Sequence, residues 1–319
     1  MNDTTKIMTR HPKNPIITPD MIPGIAAVYN PSPAVYDGKT VLVLSTLPYD
    51  FNLENQKPSG SYIAISEDGI NFDIRTEKPF IDFSQYGEPF NRIIGTAPVD
   101  SRITKIDDTY YLLTPIFGGG EGPFTVMGTT KDFKTYTPVE IVTLPVNRGS
   151  SLFPEKIGGK YYRLDRPGAD SNPPGSIWIS SSPDLIHWGC HRPLMKGGYA
   201  IWNILKMGPT PPIKTPEGWL VIVHGVFSWT GGGGHYYIGA VLLDLEDPSK
   251  VLGRTKSWLL APEMEYETKG MVNDVCFPCG ALADIEKDEL RLYYGAADTC
   301  IGLATGSLSE VLYACKNER

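Results

Sequence analysis

Residues 98–113, PVDSRITKIDDTYYLL, contain one complete β-hairpin. The runs Ile103–Ile106 and Tyr110–Leu113 are rich in β-branched, aliphatic and aromatic residues, which favour strands. The polar pair Asp107 and Asp108 between them is typical of a tight turn. This stretch therefore predicts two short antiparallel strands.

The same hairpin pattern occurs five times along the chain, and this repeat decides the fold class. The other four copies are PAVYDGKTVLVLS (33–45), SLFPEKIGGKYYRLD (151–165), PPIKTPEGWLVIVHG (211–225) and GALADIEKDELRLYYGA (280–296). A third apolar run and a short polar turn follow each copy. The acidic residue of that turn, which can accept backbone N–H bonds, is in chain order Asp68, Asp132, Asp184, Asp247 and Glu310.

Units of about sixty residues with three or four strands, repeated five times, are typical of a five-bladed β-propeller. No run with helical periodicity interrupts them, and no linker of biased composition divides the chain. We therefore predict an all-β fold with a single five-bladed propeller domain over residues 1–319, of which residues 1–10 form an N-terminal tail.

Composition excludes several classes of function. The chain has 319 residues, 41% hydrophobic and 20% charged, which is typical of a globular protein. Its net charge of −7 argues against a nucleic-acid or anionic membrane partner, which would need a basic face. No apolar stretch is long enough to span a membrane, and the N-terminus lacks the apolar segment of a secretory signal. We expect a cytoplasmic protein, and a homo-oligomer is compatible with these features.

The five cysteines, an odd number spread widely, do not predict a disulfide framework. Cys276 and Cys279 form a Cys-x-x-Cys pair, but no second pair and no nearby His completes a set of zinc ligands. We expect two packed thiols at strand ends, no metal site and no bound cofactor.

The pair Asp100 and Arg102 stands where the first strand of the opening hairpin begins. In an antiparallel hairpin, the start of the first strand and the end of the second lie at the same edge. Polar residues at corresponding positions of the other copies are therefore predicted to converge on one mouth of the central channel. These residues are Asn30, Arg148 and Lys206 before first strands, and Asp165, Arg166, His224 and Asp298 after second strands.

Four of these side chains are cationic or can carry a proton, and they are called the basic group below: Arg148, Arg166, Lys206 and His224. In an acidic protein, cations at equivalent places in consecutive blades indicate an anion site, and Arg together with Lys suits phosphate. Structural roles stay open for single members of the mouth. Arg102 can form a salt bridge with Asp100, and His224 lies between apolar neighbours as a core histidine would.

Aromatic residues surround a glycine run close to His224. The segment VFSWTGGGGHYYIG (226–239) contains Phe227, Trp229, Tyr236 and Tyr237. Tyr and Trp at a polar cleft are the usual platform for sugar rings. The glycine run 231–234 lacks the Lys-Ser/Thr ending of a phosphate loop, and we predict that it forms a mobile flap over the site.

Seven segments carry a resemblance to a known family: NPSPAVYDGK (30–39), SEDGINF (66–72), DSRITKIDDTYYLL (100–113), SLFPEKIGGKYY (151–162), GPTPPIKTPEGWLVIVHGV (208–226), DVCFPCGAL (274–282) and YYGAAD (293–298). Together they resemble glycoside hydrolase family 130, which holds five-bladed β-mannoside phosphorylases and related β-mannosidases. The resemblance runs from about His11 to the last blade, and it implies the fold that the hairpin repeat predicts independently.

The resemblance implies inverting phosphorolysis of a β-mannoside, with inorganic phosphate as co-substrate, to give α-mannose 1-phosphate and a shortened sugar. By matching position, Asp100 is the acid that protonates the leaving oxygen, in the family through the mannose 3-hydroxyl. Because phosphate is itself the nucleophile, no second carboxylate is needed to activate water. The residues implied to bind phosphate are Arg148, Arg166, Lys206, His224 and Tyr237, and those implied to hold the mannosyl unit are Asn30, Arg102 and Asp298.

The chain departs from the family pattern at two places. The family motif, usually Glu-Asp-Pro-Arg, reads Val99-Asp100-Ser101-Arg102 here, and the loss of an acidic neighbour changes how the pKa of Asp100 is set. The first blade usually carries an arginine after its second strand, where this chain has Ser45 or Thr46. Both places lie near the sugar subsites, so the acceptor sugar and the linkage stay open.

Two alternative functions remain. One is a hydrolase on the same scaffold, with Asp100 as the acid and Glu155 or Glu267 as the base that activates water. The basic group argues against it, because a water nucleophile does not require those charges. The other is a sugar-binding propeller without catalytic activity.

Overall fold

The computed structural model describes residues 7–49, 60–90, 97–117, 123–168, 175–196, 206–228 and 234–317. Their strands form five antiparallel sheets, each of four or five strands. The sheets follow one another along the chain as the five blades of a β-propeller. The all-β, five-bladed architecture predicted from the hairpin repeat is confirmed.

The strands are numbered in chain order, beginning with the N-terminal strand β1 (Met8–Arg10). Blade 1 contains β2 (Ile25–Tyr36), β3 (Lys39–Pro48), β4 (Ser61–Ser66) and β5 (Asp73–Arg75). Blade 2 contains β6 (Ala97–Pro98), β7 (Arg102–Ile106), β8 (Thr109–Phe117), β9 (Phe124–Thr130) and β10 (Thr137–Ile141). Blade 3 contains β11 (Ser151–Leu152), β12 (Tyr161–Asp165), β13 (Ile177–Ser182) and β14 (Gly189–Met195).

Blade 4 contains β15 (Lys206–Pro209), β16 (Ile213–Thr215), β17 (Gly218–Ser228), β18 (Gly234–Leu243) and β19 (Val251–Arg254). Blade 5 contains β20 (Cys276–Pro278), β21 (Leu282–Asp284), β22 (Glu289–Ala296) and β23 (Cys300–Ser307) from the end of the chain, together with β1 from its beginning.

Strand β1 closes the ring, because it pairs antiparallel with β23 from the far end of the chain. Met8 lies opposite Gly306, and Arg10 lies opposite Ala304. The N-terminal tail predicted over residues 1–10 therefore does not extend to residue 10. Three residues are too few to show an alternating pattern, so this edge strand could not be predicted from the sequence.

The structure also contains a helix that the sequence did not predict. Helix α1 (Glu265–Thr268) is a single turn, but α2 (Leu308–Asn317) has ten residues, and two short 3-10 turns lie at Pro19–Met21 and Phe83–Gln85. Helix α2 buries Leu308, Val311, Leu312 and Cys315, which have helical spacing. The run is short and directly follows β23, which hides its period. None of the described helices is both long and apolar enough to cross a lipid bilayer.

The predicted turn aspartates do cap their turns. Asp68 accepts hydrogen bonds from the backbone N–H groups of Ile70 and Asn71, both at 2.8 Å, and Asp132 does the same for Lys134 at 2.8 Å. The equivalent bonds of Asp184 and Asp247 are made to Ile186, His187 and Ser249. Glu310, at the corresponding place of the fifth copy, lies in the first turn of α2, so the polar turn predicted there is wrong.

Five apolar clusters fill the interfaces between neighbouring blades, and β17 shows how one strand serves two of them. Trp219, Val221 and Val223 pack toward blade 3, whereas Leu220 and Ile222 pack toward blade 5. Side chains alternate across a strand, so a strand buried on both faces is a continuous apolar run. That explains the sequence WLVIV, and it places His224 on the face toward blade 5.

We predict that Ile222→Ala lowers the free energy of unfolding by about 2–5 kcal/mol, because it removes buried methyl groups and leaves a cavity. Ile222 is fully buried, whereas Ile285, in the turn between β21 and β22, is 52% exposed and provides a matched control. Ile285→Ala should change stability by no more than about 0.5 kcal/mol. Urea unfolding of both variants tests this, and equal losses would contradict the packing described.

Candidate active site

Asp100 is fully buried between β6 and β7, with its backbone in the left-handed region (φ 55°) that Asp tolerates. Its backbone N–H donates to Ser45 Oγ at 2.9 Å. Its carboxylate accepts from Asn30 Nδ2 at 2.7 Å, and from Arg148 Nη2 at 2.7 Å and Nε at 3.2 Å. One aspartate of blade 2 is thereby joined to blade 1 and to the segment that enters blade 3.

Asn30 reaches Asp100 because β2 is irregular at this point. The register of β2 against β3 shifts between Tyr29 and Ser32, and Asn30 has a φ of 47°. Such a bulge turns one side chain out of the regular alternation and is common beside functional sites. The prediction that Asn30 and Asp100 converge on one mouth of the channel agrees with this contact.

The ion pair with Arg148 determines the protonation state of Asp100. Burial raises the pKa of the Asp100 carboxyl, but the charges of Arg148 and Arg102, with the hydrogen bonds from Arg148 and Asn30, outweigh burial, so the pKa lies below its usual value. Asp100 is therefore ionised in the protein on its own.

Three members of the basic group, Arg148, Arg166 and His224, form a connected chain beside Asp100. Arg166 donates from Nε to the backbone oxygen of Arg148 at 3.1 Å, and its Nη1 lies 2.9 Å from His224 Nε2. Burial and the charge of Arg166 hold the pKa of His224 well below its usual value, so the ring is neutral. Since an arginine only donates, Nε2 accepts and Nδ1 carries the ring proton; Nδ1 has no partner among the described residues.

Gly208 allows His224 and Arg166 to approach each other. It lies opposite His224 in the pairing of β15 with β17. A Cβ atom there would lie 2.4 Å from His224 Cε1 and 3.3 Å from Arg166 Nη1. Lys206 lies two residues earlier on β15, with Nζ 5.9 Å from the ring centre of Tyr236.

Arg102 is buried against the same site. Its Nη1 donates to the backbone oxygen of Asp100, and its guanidinium lies 5.7 Å from the ring centre of Phe277. Its Nε has no partner among the described residues. Arg102 therefore contacts Asp100 through a hydrogen bond to the backbone oxygen, and not through the salt bridge to the carboxylate that was the alternative.

Asp298 is a second carboxyl group beside Asp100. Burial and the negative charge of Asp100 raise its pKa to about 7, although Arg148 acts in the opposite direction. The sequence missed a third group, Tyr29, whose phenol pKa is raised by burial and by the charges of Asp100 and Asp298. An aromatic residue in an apolar strand is usually a core residue, so no sequence signal singles out Tyr29.

Tyr237 requires a correction. Tyr236 lies opposite Val226 and Tyr237 lies opposite Gly225, and neighbouring residues of a strand point to opposite faces. Tyr237 stacks on Trp258 at 4.9 Å, whereas Tyr236 lies 6.3 Å from His224 between ring centres. By these contacts Tyr236, and not Tyr237, lies beside His224 and Lys206 of the basic group. Trp229 and residues 231–233 lie outside the described residues, and the flap stays a prediction.

At both places where the chain departs from the family pattern, the substituted side chains make defined contacts. Val99 packs with Ala27, Tyr29 and Leu47, so an apolar side chain replaces a charge beside Asp100. Ser101 is buried, with its Oγ 2.9 Å from Thr114 Oγ1. Ser45, where an arginine was expected, instead accepts the backbone N–H of Asp100.

Neither glutamate considered as a hydrolytic base lies in the site. Glu155 is half exposed and pairs with Lys214 at 2.7 Å. Glu267 is fully buried and accepts from Arg10 Nε and from Tyr294 Oη, both at 2.7 Å. Both carboxylates have structural partners, which leaves the hydrolase alternative without the bases considered for it.

The two Cys-x-x-Cys thiols are buried, and neither forms a disulfide. Burial raises the pKa of Cys279 to about 12, which keeps it protonated and unreactive. No group of three or more His, Cys, Asp or Glu side chains in the described part of the chain is arranged to hold a metal ion.

We predict that Asp298→Asn changes how stability depends on pH. Between about pH 4 and pH 7 the folded protein holds the Asp298 proton more tightly than the unfolded chain does. The contribution to stability is thus present at low pH and is lost as the pH rises through 7. Relative to Asp298→Asn, the wild type should lose up to about 4 kcal/mol between pH 4 and pH 8, at about 1.4 kcal/mol for each pKa unit. Urea unfolding across this range tests the prediction, and parallel curves would contradict it.

Comparison with known proteins identifies relatives over nearly the whole chain. A family model described as beta-1,4-mannooligosaccharide phosphorylase matches residues 2–317. The beta-1,4-mannooligosaccharide phosphorylase of Ruminococcus albus is 33% identical over 97% of this chain and 91% of its own length. The beta-1,2-mannobiose phosphorylase of Listeria innocua is 40% identical over 81% of this chain and 70% of its own length.

A solved structure extends the likeness to three dimensions. The beta-1,2-mannobiose phosphorylase from Listeria innocua, in complex with beta-1,2-mannobiose, superposes with a TM-score of 0.83 at 32% identity, over 97% of this chain and 99% of that chain. The fold, the whole-length family match and these relatives lead to one conclusion. The chain belongs to glycoside hydrolase family 130 and is an enzyme of the β-mannoside phosphorylase type.

Proposed function

We propose that this enzyme cleaves a β-mannoside by inverting phosphorolysis, giving α-mannose 1-phosphate and a shortened sugar. The observation that carries the proposal is the ion pair between Asp100 and Arg148, with Arg166 and His224 of the basic group connected to it by hydrogen bonds. An acid and an anion site are thereby held side by side. The similar proteins named above are phosphorylases of β-1,4- and β-1,2-linked mannosides, and phosphate is our proposed co-substrate.

The basic group is proposed to hold the phosphate behind the anomeric carbon. Arginine binds two phosphate oxygens through its planar fork, and lysine adds a point charge. Neutral His224 contributes the N–H at Nδ1, whose hydrogen-bonding capacity the described residues do not use. Tyr236, beside Lys206 and His224, takes the place we first gave to Tyr237.

Asp100 is proposed to be the acid, and the ion pair suggests why it acts only with phosphate. Both Arg148 donors now lie on one carboxylate oxygen of Asp100. A phosphate dianion competes for that guanidinium and places negative charge nearby, and both effects raise the pKa of Asp100. The carboxyl then takes up the proton that it must donate.

The bond changes balance without a second carboxylate. A phosphate oxygen forms a bond to C1 on the face opposite the leaving sugar, while the bond from C1 to the leaving oxygen breaks. The proton of Asp100 passes to that oxygen, and the hydroxyl proton of HPO₄²⁻ replaces it through solvent. Asn30, Arg102 and Asp298 are proposed to hold the mannosyl unit around the reacting carbon.

Three broader proposals accompany this activity. The substrate is a β-1,2- or β-1,4-linked manno-oligosaccharide, and the whole chain acts as one catalytic domain. The third proposal is a cytoplasmic location. It is supported by the five cysteines, which all lie among the described residues as free thiols and so suit a reducing compartment.

Incubation with β-1,2- and β-1,4-mannobiose, with and without phosphate, tests the function. We expect α-mannose 1-phosphate only when phosphate is present. Asp100→Asn should lower kcat/KM by about 10²–10⁴, the usual contribution of a general acid. Asp20→Asn, an exposed aspartate on a 3-10 turn, is the matched control and should retain the parent activity.

Other outcomes decide between the alternatives. Equal release of free mannose with and without phosphate would identify a hydrolase. Binding of the disaccharide without any product would identify a sugar-binding propeller. Full activity of Asp100→Asn would remove Asp100 as the acid.

We predict that Gly208→Ala raises the KM for phosphate at least about tenfold, because its Cβ would push His224 away from Arg166. Gly189→Ala, at the start of β14, is the control, since a Cβ there meets nothing within 4 Å. The KM for the mannoside should change less than the KM for phosphate in Gly208→Ala. An unchanged phosphate KM in a folded Gly208→Ala enzyme would contradict the anion site.

A further inference from the structure

A second cleft lies along blade 3, outside the site described above. Its volume is about 740 Å³, which is within the range of small-molecule sites. One wall is the segment 142–147 between blades 2 and 3, and the other is the face of blade 3. The residues that matter for its chemistry are Asn147, Asp165, Trp178, His187, Trp188 and His191.

The wall of the cleft adjoins the basic group along the chain. Asn147 and Asp165 immediately precede Arg148 and Arg166, and the two segments are paired, with Arg148 N donating to Arg166 O at 3.2 Å. Each of these two cleft residues is therefore next in the chain to an arginine that we propose binds phosphate.

The wall of the cleft contains a hydrogen-bond acceptor that the described residues do not use. Asn147 is 8% exposed, and its Nδ2 points toward Asp165 Oδ1 at 3.4 Å. Its Oδ1 has no partner in the described part of the chain. A buried amide oxygen without a partner costs about 1–3 kcal/mol, so a ligand hydroxyl that donates to it would be favoured.

The charges of the cleft neutralise each other. Arg163 and Asp165 are both buried and form an ion pair at 2.9 Å. Ser150 and Ser180 also donate to Asp165, at 2.7 and 3.1 Å. Because Arg163 and Asp165 neutralise each other, the cleft suits an uncharged ligand better than an anion or a charged peptide.

Two tryptophans flank this ion pair. Trp178 lies opposite Asp165 in the sheet and so shares its face of blade 3. Trp188 is covered by the Arg163 guanidinium at 4.2 Å, and its Nε1 donates to Leu185 O at 2.8 Å. Aromatic rings beside hydrogen-bonding groups bind the apolar faces of sugar rings. Leu144, 85% exposed in the opposite wall, adds apolar surface.

We propose that this cleft is an accessory binding site for a neutral β-mannan oligosaccharide, which holds chain units beyond those at the reacting bond. The identity of the sugar rests on the proposed function. Trp178 provides the stacking surface, and Asn147 Oδ1 accepts from a sugar hydroxyl. The enzyme thereby binds longer chains more tightly than disaccharides.

The test is calorimetric titration of the full-length enzyme in phosphate-free buffer with mannobiose and mannotetraose, each in the β-1,2- and β-1,4-linked forms. We expect the wild type to bind one tetraose at least tenfold more tightly than the matching biose. Trp178→Ala should reduce that ratio at least fivefold. Tyr313→Ala, an exposed aromatic residue on α2, should leave the ratio unchanged.

His191→Ala provides a second variant on an exposed strand position, and it should also reduce the ratio. Equal affinity of the wild type for tetraose and biose would overturn the proposal, as would an unchanged ratio in both cleft variants. Formation of sugar 1-phosphate from mannobiose is measured separately. A failed cleft therefore leaves phosphorolysis standing, and failed phosphorolysis leaves the binding result interpretable.

Discussion

The ion pair between Asp100 and Arg148 is the interaction on which the site depends. A fully buried carboxylate is costly unless opposite charge and hydrogen bonds surround it. Here Asn30 and Ser45 come from blade 1 and Arg148 from the entry to blade 3, so three parts of the ring must be in place together. The protonation state of Asp100 therefore depends on the correct assembly of all three parts.

The packing of the blades makes that assembly rigid. Each interface between neighbouring blades is filled by its own apolar cluster, and the ring is closed by β1 on β23. Glu267 supports the closure, since it accepts from Arg10 at 2.7 Å and from Tyr294 at 2.7 Å. A rigid ring holds charged groups in fixed positions at the mouth, and fixed charges stabilise a transition state without reorganisation.

Hydrogen-bonding capacity that the protein does not use is concentrated near the mouth. Asn30 Oδ1, Arg102 Nε and His224 Nδ1 are buried and lack partners among the described residues. Such groups lower stability, and proteins retain them mainly where function requires them. Asp298, with its raised pKa, belongs to the same pattern. Buried polar groups without partners near Asp100 lower the stability of the protein, and such groups are expected in a site that binds a polar substrate.

The sequence by itself determined the five hairpins, the four turn aspartates and the edge of the sheets where polar residues collect. These features depend on local turn chemistry and on the two-residue period of a strand, which are readable in short windows. The same windows could not show α2, whose short apolar period merges with β23, or the edge strand β1.

Tertiary structure alone decided which polar residues meet. Arg148 pairs with Asp100 across 48 residues, and Arg10 binds Glu267 across 257, so the role of Glu267 is structural. Register decided between Tyr236 and Tyr237, because a shift of one residue moves a side chain to the other face of the sheet. Burial and charge partners set the pKa of Asp100, and the ion-pair partner Arg148 comes from a segment that no local pattern connects to it.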